Sequence, residues 1–565
     1  MRPWWEKWPE RLKFELERLQ AAGVQINEVS KDPITGILEL QLEHVIGGRV
    51  MPLSVRFTPF FPYTRFELFA PDLALAHHQN PFQKNICLIG RASENWDIDD
   101  TVADFILNRL PTAIAAAEEE DTGKLAGVEV QQAEPQTAYY SYANGSLVLT
   151  DSSWEIPETI ASGTVLLGFE QLDVHSMRGA ILRVCDSAGN SLAQAPQAIQ
   201  NLQTWKTIEC SWIRVHGLPR EQNAKAFLNS LANQSKAFQY ASASKLQVFG
   251  VLFPEEIGWR KSGDGWIFIV RFPLERSGFR PGHYFQAYFA RPGRVGAADL
   301  GVRIPEMAAL RQKKVAVLGL GCLGAPSALE FARAGLGEIR LMDGDIVEAA
   351  TTVRWSLGLQ AAGRSKVDAL RDFIKANYPY TAVSTGNCMF GGLPGLGGTD
   401  LNNYEEFFGD IDLIYDATAE GGIHYLLSEI AMEKKLPYIA VSATPGAWGG
   451  RVVRILPDVT QGCWVCLKKA IDDGSIPSPP GDDVGTIQGA GCADPTFTGS
   501  NFELGHIPLL GVRLAVSAVC ATSPDGFPDQ NDMDVAVVTL RRGRQLVLPE
   551  WVGYKLHRHP SCTNH

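Results

Sequence analysis

The pattern of apolar and polar positions divides the chain into regions with different predicted secondary structure. Residues 4–22 mix apolar and charged positions as an amphipathic helix does, and residues 24–69 alternate as three or four β-strands do. Short β-branched runs between residues 146 and 271 predict a mixed α/β or β-rich region. After residue 313, short apolar runs alternate with helical patterns, which indicates a parallel sheet covered by helices.

The C-terminal region opens with a predicted strand, a glycine-rich turn and a helix. Residues 315–318 form an apolar run, the turn contains Gly319, Gly321 and Gly324, and residues 325–334 have a helical pattern. Glycines allow a backbone to approach a phosphate, and free N–H groups at a helix N-terminus point towards it. This order predicts an anion site, although a dehydrogenase would contain it as well.

Charged residues after the second strand of this region favour ATP over a nicotinamide cofactor. Asp343 follows that strand where a dinucleotide fold places a ribose-binding acid. Asp345, Arg354 and Lys366 follow closely, so one further acid and two cations accompany the phosphate turn. Additional cations suit the longer and more highly charged tail of ATP. Ordinary surface charges on a Rossmann unit are the alternative interpretation.

These residues resemble the motifs of the ThiF, MoeB and ubiquitin-activating adenylation domains. The resemblance implies ATP and magnesium as cofactors. It assigns nucleotide binding to Gly319, Gly321, Gly324, Asp343, Asp345, Arg354 and Lys366. Arg354 and Lys366 would act catalytically by stabilising charge on the phosphates in the transition state.

Two positions depart from the pattern of that family. Thr351 or Thr352 stands where the family often has asparagine. The segment Asp416-Ala417-Thr418-Ala419 ends in alanine where an aspartate often helps to hold magnesium. The resemblance therefore leaves Asp416 and Asp345 as alternative ligands of the metal.

Composition limits the classes of protein that this chain can belong to. Its 565 residues predict two to four domains, and a content of 45% hydrophobic and 20% charged residues is typical of globular proteins. A net charge of −12 disfavours nonspecific nucleic-acid binding. Without an apolar run of membrane-spanning length or a signal-peptide core, we expect a cytoplasmic protein that does not bind membranes. Its 10 cysteines are then expected to be thiols, metal ligands or catalysts.

Residues 1–120 resemble a ubiquitin-conjugating domain. After the predicted helix and strands come a proline-aromatic turn, a His/Asn-rich segment, Cys87, Trp96 and a helix that begins at Thr101. Members of that family have a His-Pro-Asn segment before the active cysteine, so the resemblance implies that Cys87 forms a thioester. A buried apolar cysteine is the alternative, because that is the commoner environment of free cysteine.

The resemblance also assigns roles to the segment before Cys87. Counting back from Cys87 aligns His77 with the family's histidine and Gln79 with its asparagine, whereas a shift of one residue aligns Asn80 instead. Either amide could donate to the developing oxyanion when an amine attacks the thioester. We expect His77 or His78 to brace the loop rather than to transfer protons.

A second candidate nucleophile, Cys492, follows a segment of low complexity. Residues 471–484 are rich in Asp, Gly, Ser and Pro and lead to the sequence Gly-Cys-Ala-Asp-Pro-Thr-Phe at residues 491–497. That sequence resembles the acceptor-cysteine segment of bacterial activating enzymes fused to conjugating domains. The resemblance implies that Cys492 captures the acyl group of the adenylate, which requires an accessible thiolate.

Cys463 and Cys466 have the two-residue spacing of a redox pair or of half a zinc site. A redox pair should lie at a helix N-terminus, whereas we predict that this pair follows a hairpin-like stretch. Relatives commonly complete a structural zinc site with a second Cys-x-x-Cys near the chain end, and here Cys562 and His565 would do so. Three thiolates and an imidazole form an ordinary tetrahedral zinc site. Metal-free thiols are the alternative.

We therefore predict an α/β protein of three domains. They are a ubiquitin-conjugating-like α+β domain (1–120), a mixed α/β spacer (121–296) and a Rossmann-like ThiF adenylation domain with a mostly parallel sheet (297–565). The resemblance is to the bacterial fusion of conjugating and activating enzymes found in type II CBASS and related antiphage operons. It implies a homodimer.

The implied reaction begins with ATP-dependent activation of the C-terminus of a ubiquitin-like protein or of a nucleotidyltransferase. The acyl group would pass from Cys492 to Cys87 and then to a target lysine. A sulfur-carrier adenylyltransferase of the ThiF/MoeB type is the alternative, and it would leave residues 1–120 without a role. A noncatalytic scaffold that binds nucleotide is a third possibility.

Overall fold

The computed structural model describes residues 2–88, 96–125, 132–173, 176–200, 206–232, 234–235, 238, 246–273, 285–487, 496–530 and 532–564. The chain folds into two units. The first comprises Met1–Gln194 and Trp205–Val295, and the second comprises Ala195–Thr204 and Gly296–His565.

The first unit begins with an α+β arrangement whose elements are α1 (Trp4–Lys7), α2 (Pro9–Ala21), β1 (Gln25–Asp32), β2 (Ile37–Ile46), β3 (Arg49–Phe57), β4 (Glu67–Phe69), α3 (Val102–Asp104), α4 (Leu110–Glu118) and α5 (Thr122–Leu125). The four strands form an antiparallel meander, and alternate residues such as Leu38 and Leu40 are buried. Thr101 caps α3 by accepting the N–H of Asp104 at 3.2 Å. The strands predicted for residues 24–69 are confirmed, whereas the single helix predicted for residues 4–22 is divided at Trp8 into α1 and α2.

The rest of the first unit is a curved sheet of eight strands. Its elements are β5 (Tyr142–Thr150), β6 (Ser162–Gln171), β7 (Met177–Asp186), β8 (Ser191–Gln194), β9 (Lys206–Arg214), α7 (Ala224–Leu231), β10 (Gln247–Gly258), β11 (Lys261–Pro273) and β12 (Phe285–Arg294), with α6 (Gln197–Gln200) assigned to the second unit. The strand order is β5-β12-β11-β10-β9-β6-β7-β8, and β5 also pairs with β7. That pairing closes seven strands into a barrel, so the β-rich alternative for this region is correct.

The second unit is a three-layer α/β structure. Its elements are α8 (Ala297–Gly301), α9 (Met307–Leu310), β13 (Lys314–Leu318), α10 (Gly324–Arg333), β14 (Glu338–Met342), α11 (Lys366–Asn377), β15 (Ala382–Gly386), α12 (Leu401–Phe408), β16 (Leu413–Asp416), α13 (Gly421–Glu433), β17 (Tyr438–Ala443), β18 (Gly449–Ile455), α14 (Trp464–Asp472), β19 (Thr486–Ile487), β20 (Thr496–Phe497), α15 (Asn501–Leu504), α16 (His506–Cys520), β21 (Val535–Arg542) and β22 (Gln545–Tyr554). Helices α10, α11 and α16 cover one face of the main sheet, and α12, α13 and α14 cover the other.

The main sheet of this unit has the order β15-β14-β13-β16-β17-β18-β21-β22. The first five strands are parallel and the last three are antiparallel to their neighbours. The predicted α/β fold with a mostly parallel sheet is therefore confirmed. Strand order reverses between β13 and β16, and ligands of such sheets bind at the carboxyl ends of the strands at this point.

Helix α16 is the central helix of the second unit. Among the described residues, the stretch Asn501–Cys520 is the one that is long and apolar enough to cross a membrane by length and composition. Ile507, Leu514 and Ala515 of this helix are buried against the sheet. Its apolar surface is thus explained by core packing.

Candidate functional site

The glycine turn between β13 and α10 packs against the end of β16. Gly319 has a φ of +77°, and a Cβ at this position would lie 2.7 Å from the carbonyl carbon of Ala417. A Cβ at Gly324 would lie 1.8 Å from the carbonyl oxygen of Gly319. Gly321 instead has open space around its Cβ position. Packing therefore requires two of the glycines, and the third leaves room for a ligand to approach the backbone.

Asp343 ties the glycine turn to the loop that follows β14. Its carboxylate accepts the N–H of Leu320 at 2.6 Å and the N–H of Asp345 at 2.8 Å. The indole of Trp355 donates to the carbonyl of Leu320 at 2.7 Å. These bonds hold both loops at the carboxyl edge of the sheet and leave Asp345 with a side chain that is 65% exposed.

Lys366 lies beside both of these acids. Its Nζ is 2.7 Å from an oxygen of Asp345 and 3.7 Å from an oxygen of Asp343. Lys366 begins α11, and Ser365 caps that helix by accepting the N–H of Asp368. The structure therefore brings Asp343, Asp345 and Lys366 together at the carboxyl edge, next to the glycine turn.

Arg354 connects this edge to the segment that contains Cys492. Its Nη2 donates to Oγ1 of Thr496 at 2.6 Å. Thr496 lies in β20, which pairs with β19 in an antiparallel two-stranded sheet. Cys492 lies between these two strands in the chain and outside the described residues. Arg354 thus contacts the stem of the segment that carries the candidate acceptor.

Asp416 is fully buried at the end of β16. One carboxylate oxygen accepts the N–H and the hydroxyl of Thr418 at 3.0 and 2.7 Å. The other lies 2.7 Å from Nδ1 of His424 and accepts the hydroxyl of Tyr438 at 2.6 Å. Burial opposes ionisation, but hydrogen bonds from His424, Tyr438 and Thr418 outweigh it and lower the pKa of Asp416. Magnesium binding by Asp416 or Asp345 stays a prediction, and Asp345 is the more exposed of the two acids.

Cys87 is exposed and lies in a tight antiparallel loop. Its N–H donates to the carbonyl of His78 at 2.7 Å, and Gln79 forms a β-bridge with Ile86. The alternative of a cysteine buried in the apolar core is therefore wrong. An exposed thiol on a hydrogen-bonded loop is accessible to a partner thioester.

The two candidate oxyanion amides both stabilise this loop. Gln79 is buried, and its Nε2 donates to the carbonyl of Ala70 at 3.0 Å while its Oε1 accepts the N–H of Leu75 at 3.0 Å. Asn80 accepts the N–H groups of Phe82 and Gln83 at 2.9 and 3.1 Å. Gln79 thus lies inside the loop, whereas Asn80 is partly exposed.

His77 lies at the start of the same loop. Its Nδ1 is 3.7 Å from an oxygen of Glu256. Burial lowers the pKa of His77, and the nearby Arg260 guanidinium lowers it further despite the acids around it. A bracing role agrees with this environment.

Three cysteines meet near the end of the chain. The sulfurs of Cys463, Cys466 and Cys562 all lie within 4.8 Å of one another, while His565 lies outside the described residues. Cys463 directly precedes α14, so the prediction that the pair is away from a helix N-terminus is wrong. Burial opposes ionisation of Cys466, but the backbone N–H groups of His559 and Cys463 lower its pKa. A third thiol beside the pair favours a metal site over a redox pair.

Comparison with known proteins identifies two families in this chain. The ThiF family matches residues 297–520, and the prokaryotic E2 family B matches residues 19–148. The ThiF match implies ATP and magnesium as cofactors, in agreement with the glycine turn and the charged residues around it.

Two relatives from Sinorhizobium fredii (strain NBRC 101917 / NGR234) align along nearly their whole length. The protein y4oA is 29% identical over 591 residues, which covers 99% of this chain and 97% of y4oA. The protein y4qC is 30% identical over 576 residues, which covers 97% of this chain and 95% of y4qC. The adenylyltransferase and sulfurtransferase uba4 of Emericella nidulans is 30% identical over 177 residues, covering 31% of each chain.

The two family matches agree with two of the folds that the structure contains, the E2-like α+β arrangement and the three-layer α/β unit. The meander with Cys87 lies in the E2 match, and the glycine turn with its charged residues lies in the ThiF match. The alignment with y4qC extends across both of the matched segments. The chain belongs to the family of bacterial enzymes of the E1/E2 type that join a prokaryotic E2 domain to a ThiF adenylyltransferase domain.

Proposed function

We propose that this enzyme activates the C-terminal carboxylate of a protein with ATP and transfers it through Cys492 and Cys87 to an amine. The supporting observation is the hydrogen bond from Arg354 to Thr496. It joins a cation of the nucleotide site to the stem that carries Cys492. This contact supports a role for the segment that carries Cys492 in capturing the acyl group of the adenylate.

Adenylation would occur at the open backbone of Gly321 and the N-terminus of α10. The carboxylate of the cargo attacks the α-phosphorus of ATP, an acyl-adenylate forms and pyrophosphate leaves. Lys366 and Arg354 stabilise the charge on the phosphates as it is redistributed. Asp345 is the exposed acid that would hold magnesium, which neutralises phosphate charge when bound. Asp343 orients both loops and Asp416 holds the end of β16.

Two thioester steps would follow. The thiolate of Cys492 attacks the acyl carbon, so that a C–S bond forms and AMP leaves. The thiolate of Cys87 then displaces Cys492 in a second exchange, and an amine of the target, such as a lysine, displaces Cys87 with loss of a proton. Asn80, which is partly exposed, would donate to the oxyanion of that last step, because the amide of Gln79 is buried and already donates to the carbonyl of Ala70.

The family resemblance supports further proposals about partners. The cargo would be a ubiquitin-like protein or the C-terminus of a nucleotidyltransferase, and the enzyme would act as a cytoplasmic homodimer in antiphage defence. A sulfur-carrier adenylyltransferase is the second candidate, because the relative uba4 is named as an adenylyltransferase and sulfurtransferase. That enzyme would use the ThiF site but would not need Cys87.

Cysteine variants separate these two functions. The wild-type enzyme, mixed with magnesium-ATP and a candidate cargo, should form two thioesters that run as thiol-sensitive bands on a non-reducing gel. Cys492→Ala should abolish both bands, because the acyl group has no first acceptor, and Cys87→Ala should keep only the first. Cys388→Ala is the control, since Cys388 is a partly exposed cysteine of the same unit. A Cys87→Ala variant with wild-type product formation would favour the sulfur-carrier enzyme.

We further propose that Cys463, Cys466, Cys562 and His565 hold a structural zinc ion. Three neighbouring sulfurs fit the ligand set of a closed tetrahedral site. The backbone N–H groups of His559 and Asn564 donate to Cys466 and Cys562 at 3.3 and 3.4 Å, as expected around thiolates. The ion would join α14 to the end of the chain.

Removing one sulfur should release this zinc. Cys562→Ser is expected to lower the zinc content, measured by inductively coupled plasma mass spectrometry, from about one ion per chain to near zero. Its melting temperature should fall as well, because metal binding contributes to folding. Cys388→Ser should retain the metal. Equal zinc content in wild type and Cys562→Ser would contradict the site.

A further inference from the structure

The loop before Cys87 is held by a carboxylate from a distant part of the first unit. Glu134 lies between α5 and β5 in the chain. One of its oxygens accepts the backbone N–H of His78 at 2.7 Å, and the other lies 3.1 Å from Nδ1 of the same histidine. The carbonyl of His78 in turn accepts the N–H of Cys87 at 2.7 Å. His78 therefore links Glu134 to the backbone of the candidate conjugating cysteine through two hydrogen bonds.

This contact stabilises an unfavourable backbone conformation. His78 has a φ of +62°, in the left-handed region, which is sterically unfavourable for a residue with a Cβ. Burial opposes ionisation of Glu134, but hydrogen bonds from the side chain and backbone of His78 outweigh it and lower the pKa of Glu134. The bonds to the carboxylate thus offset the conformational cost at His78.

Glu134 is itself held by the barrel. Its N–H donates to the carboxylate of Glu256, at the end of β10, at 2.9 Å. Glu256 also accepts the N–H of Arg260, whose guanidinium donates to the carbonyl of Ala116 in α4 at 2.9 Å. The end of β10 therefore fixes Glu134, and the turn that follows it contacts the E2-like fold at a second point.

An aromatic contact adds to this polar network. The ring of Phe82, in the loop between His78 and Cys87, lies edge-to-face against Tyr140 with centroids 5.0 Å apart. Tyr140 belongs to the apolar core under α7 of the barrel. Polar and apolar contacts from the barrel side thus restrain the same loop.

We propose that Glu134 is a positioning residue for acyl transfer to Cys87. It fixes His78, and the carbonyl of His78 fixes the backbone of Cys87, so the barrel sets the orientation of the thiol towards the incoming thioester. The inference rests on the proposed function in which Cys87 carries the acyl group. It gives the barrel a role in conjugation beyond that of a spacer.

The first test needs no cargo. Amide hydrogen exchange of the full-length protein should show the Cys87 N–H exchanging about tenfold or more faster in Glu134→Ala than in wild type, because its acceptor is no longer held. Glu120→Ala, which removes an exposed glutamate of the same unit, should not change it. Equal protection of Cys87 in Glu134→Ala and wild type would overturn the proposal.

The second test measures transfer with a cargo that charges Cys492 in the wild type. Glu134→Ala should charge Cys492 at the wild-type rate and Cys87 about tenfold or more slowly, since small displacements of a reacting group are costly. Glu134→Gln, which keeps one acceptor for His78, should restore part of the rate. A loss of both thioesters together would indicate a structural role and overturn the positioning role. Absence of a Cys87 thioester in the wild type would instead overturn the proposed function.

Discussion

Lys366→Ala is expected to reduce ATP-dependent pyrophosphate release by about two to three orders of magnitude. The ammonium group of Lys366 lies 2.7 Å from a carboxylate oxygen of Asp345. Because the Lys366 side chain is only 15% exposed, this cation lies in a partly desolvated site. Such a cation stabilises the pentavalent phosphorus and the departing pyrophosphate more strongly than it would in water. The measurement is pyrophosphate release from magnesium-ATP in the presence of a cargo that the wild type activates.

Lys375→Ala is the matched control for this experiment. Lys375 lies in the last turn of the same helix and is exposed. Its loss should leave pyrophosphate release within about twofold of the wild type, as expected for a surface position. A Lys366→Ala enzyme that is folded and equally active would mean that the nucleotide phosphates bind elsewhere.

Asp416→Ala should destabilise the second unit by about 3–5 kcal/mol. The side chain is completely buried, and its loss would leave the donors of Thr418, His424 and Tyr438 without their acceptor. Hydrogen exchange of the amides in β16 and β17 reports this change locally, as does urea unfolding followed by fluorescence. Asp525→Ala is the control, because Asp525 is exposed in the same unit.

Acid should act on the same group in the wild type. The pKa of Asp416 is lower in the folded protein than in the unfolded chain. Its ionised form therefore contributes stability at pH values above the ordinary carboxyl pKa, and this stability is lost as the pH falls through the pKa of the folded state. Below about pH 4 the stability difference between wild type and Asp416→Ala should therefore shrink. A difference that stays constant through this range would show that the carboxylate is not the stabilising form.

Local patterns predicted the parts of the site that one strand, turn or helix contains. The glycine turn after β13 and the charged loop after β14 are recognised by residue spacing along the chain. The same spacing recurs in other proteins with this type of fold. The same holds for Cys87 and its loop, which the order helix, meander and cysteine indicated. Fold class and the ThiF and E2 families followed from these short segments.

Hydrogen-bond partners that lie on different elements were decided only by the tertiary structure. His424 and Tyr438 follow Asp416 by 8 and 22 residues, but nothing in the sequence indicates that they would bind its carboxylate, because α13 and β17 pack beside it only after the sheet has formed. The same applies to Glu134 and His78, which are 56 residues apart. A buried carboxylate requires hydrogen-bond donors, but the surrounding sequence does not indicate which donors will lie within bonding distance.

The sequence alone determined that this protein combines an adenylating Rossmann-type domain with a cysteine-bearing E2-like domain. Both are specified by residues close together in the chain, whose geometry is local. Only the tertiary structure shows that β5 pairs with β7 and closes the middle sheet, and that Glu134 contacts the loop before Cys87. Those contacts depend on side chains and strand edges that only long-range packing brings within hydrogen-bonding distance.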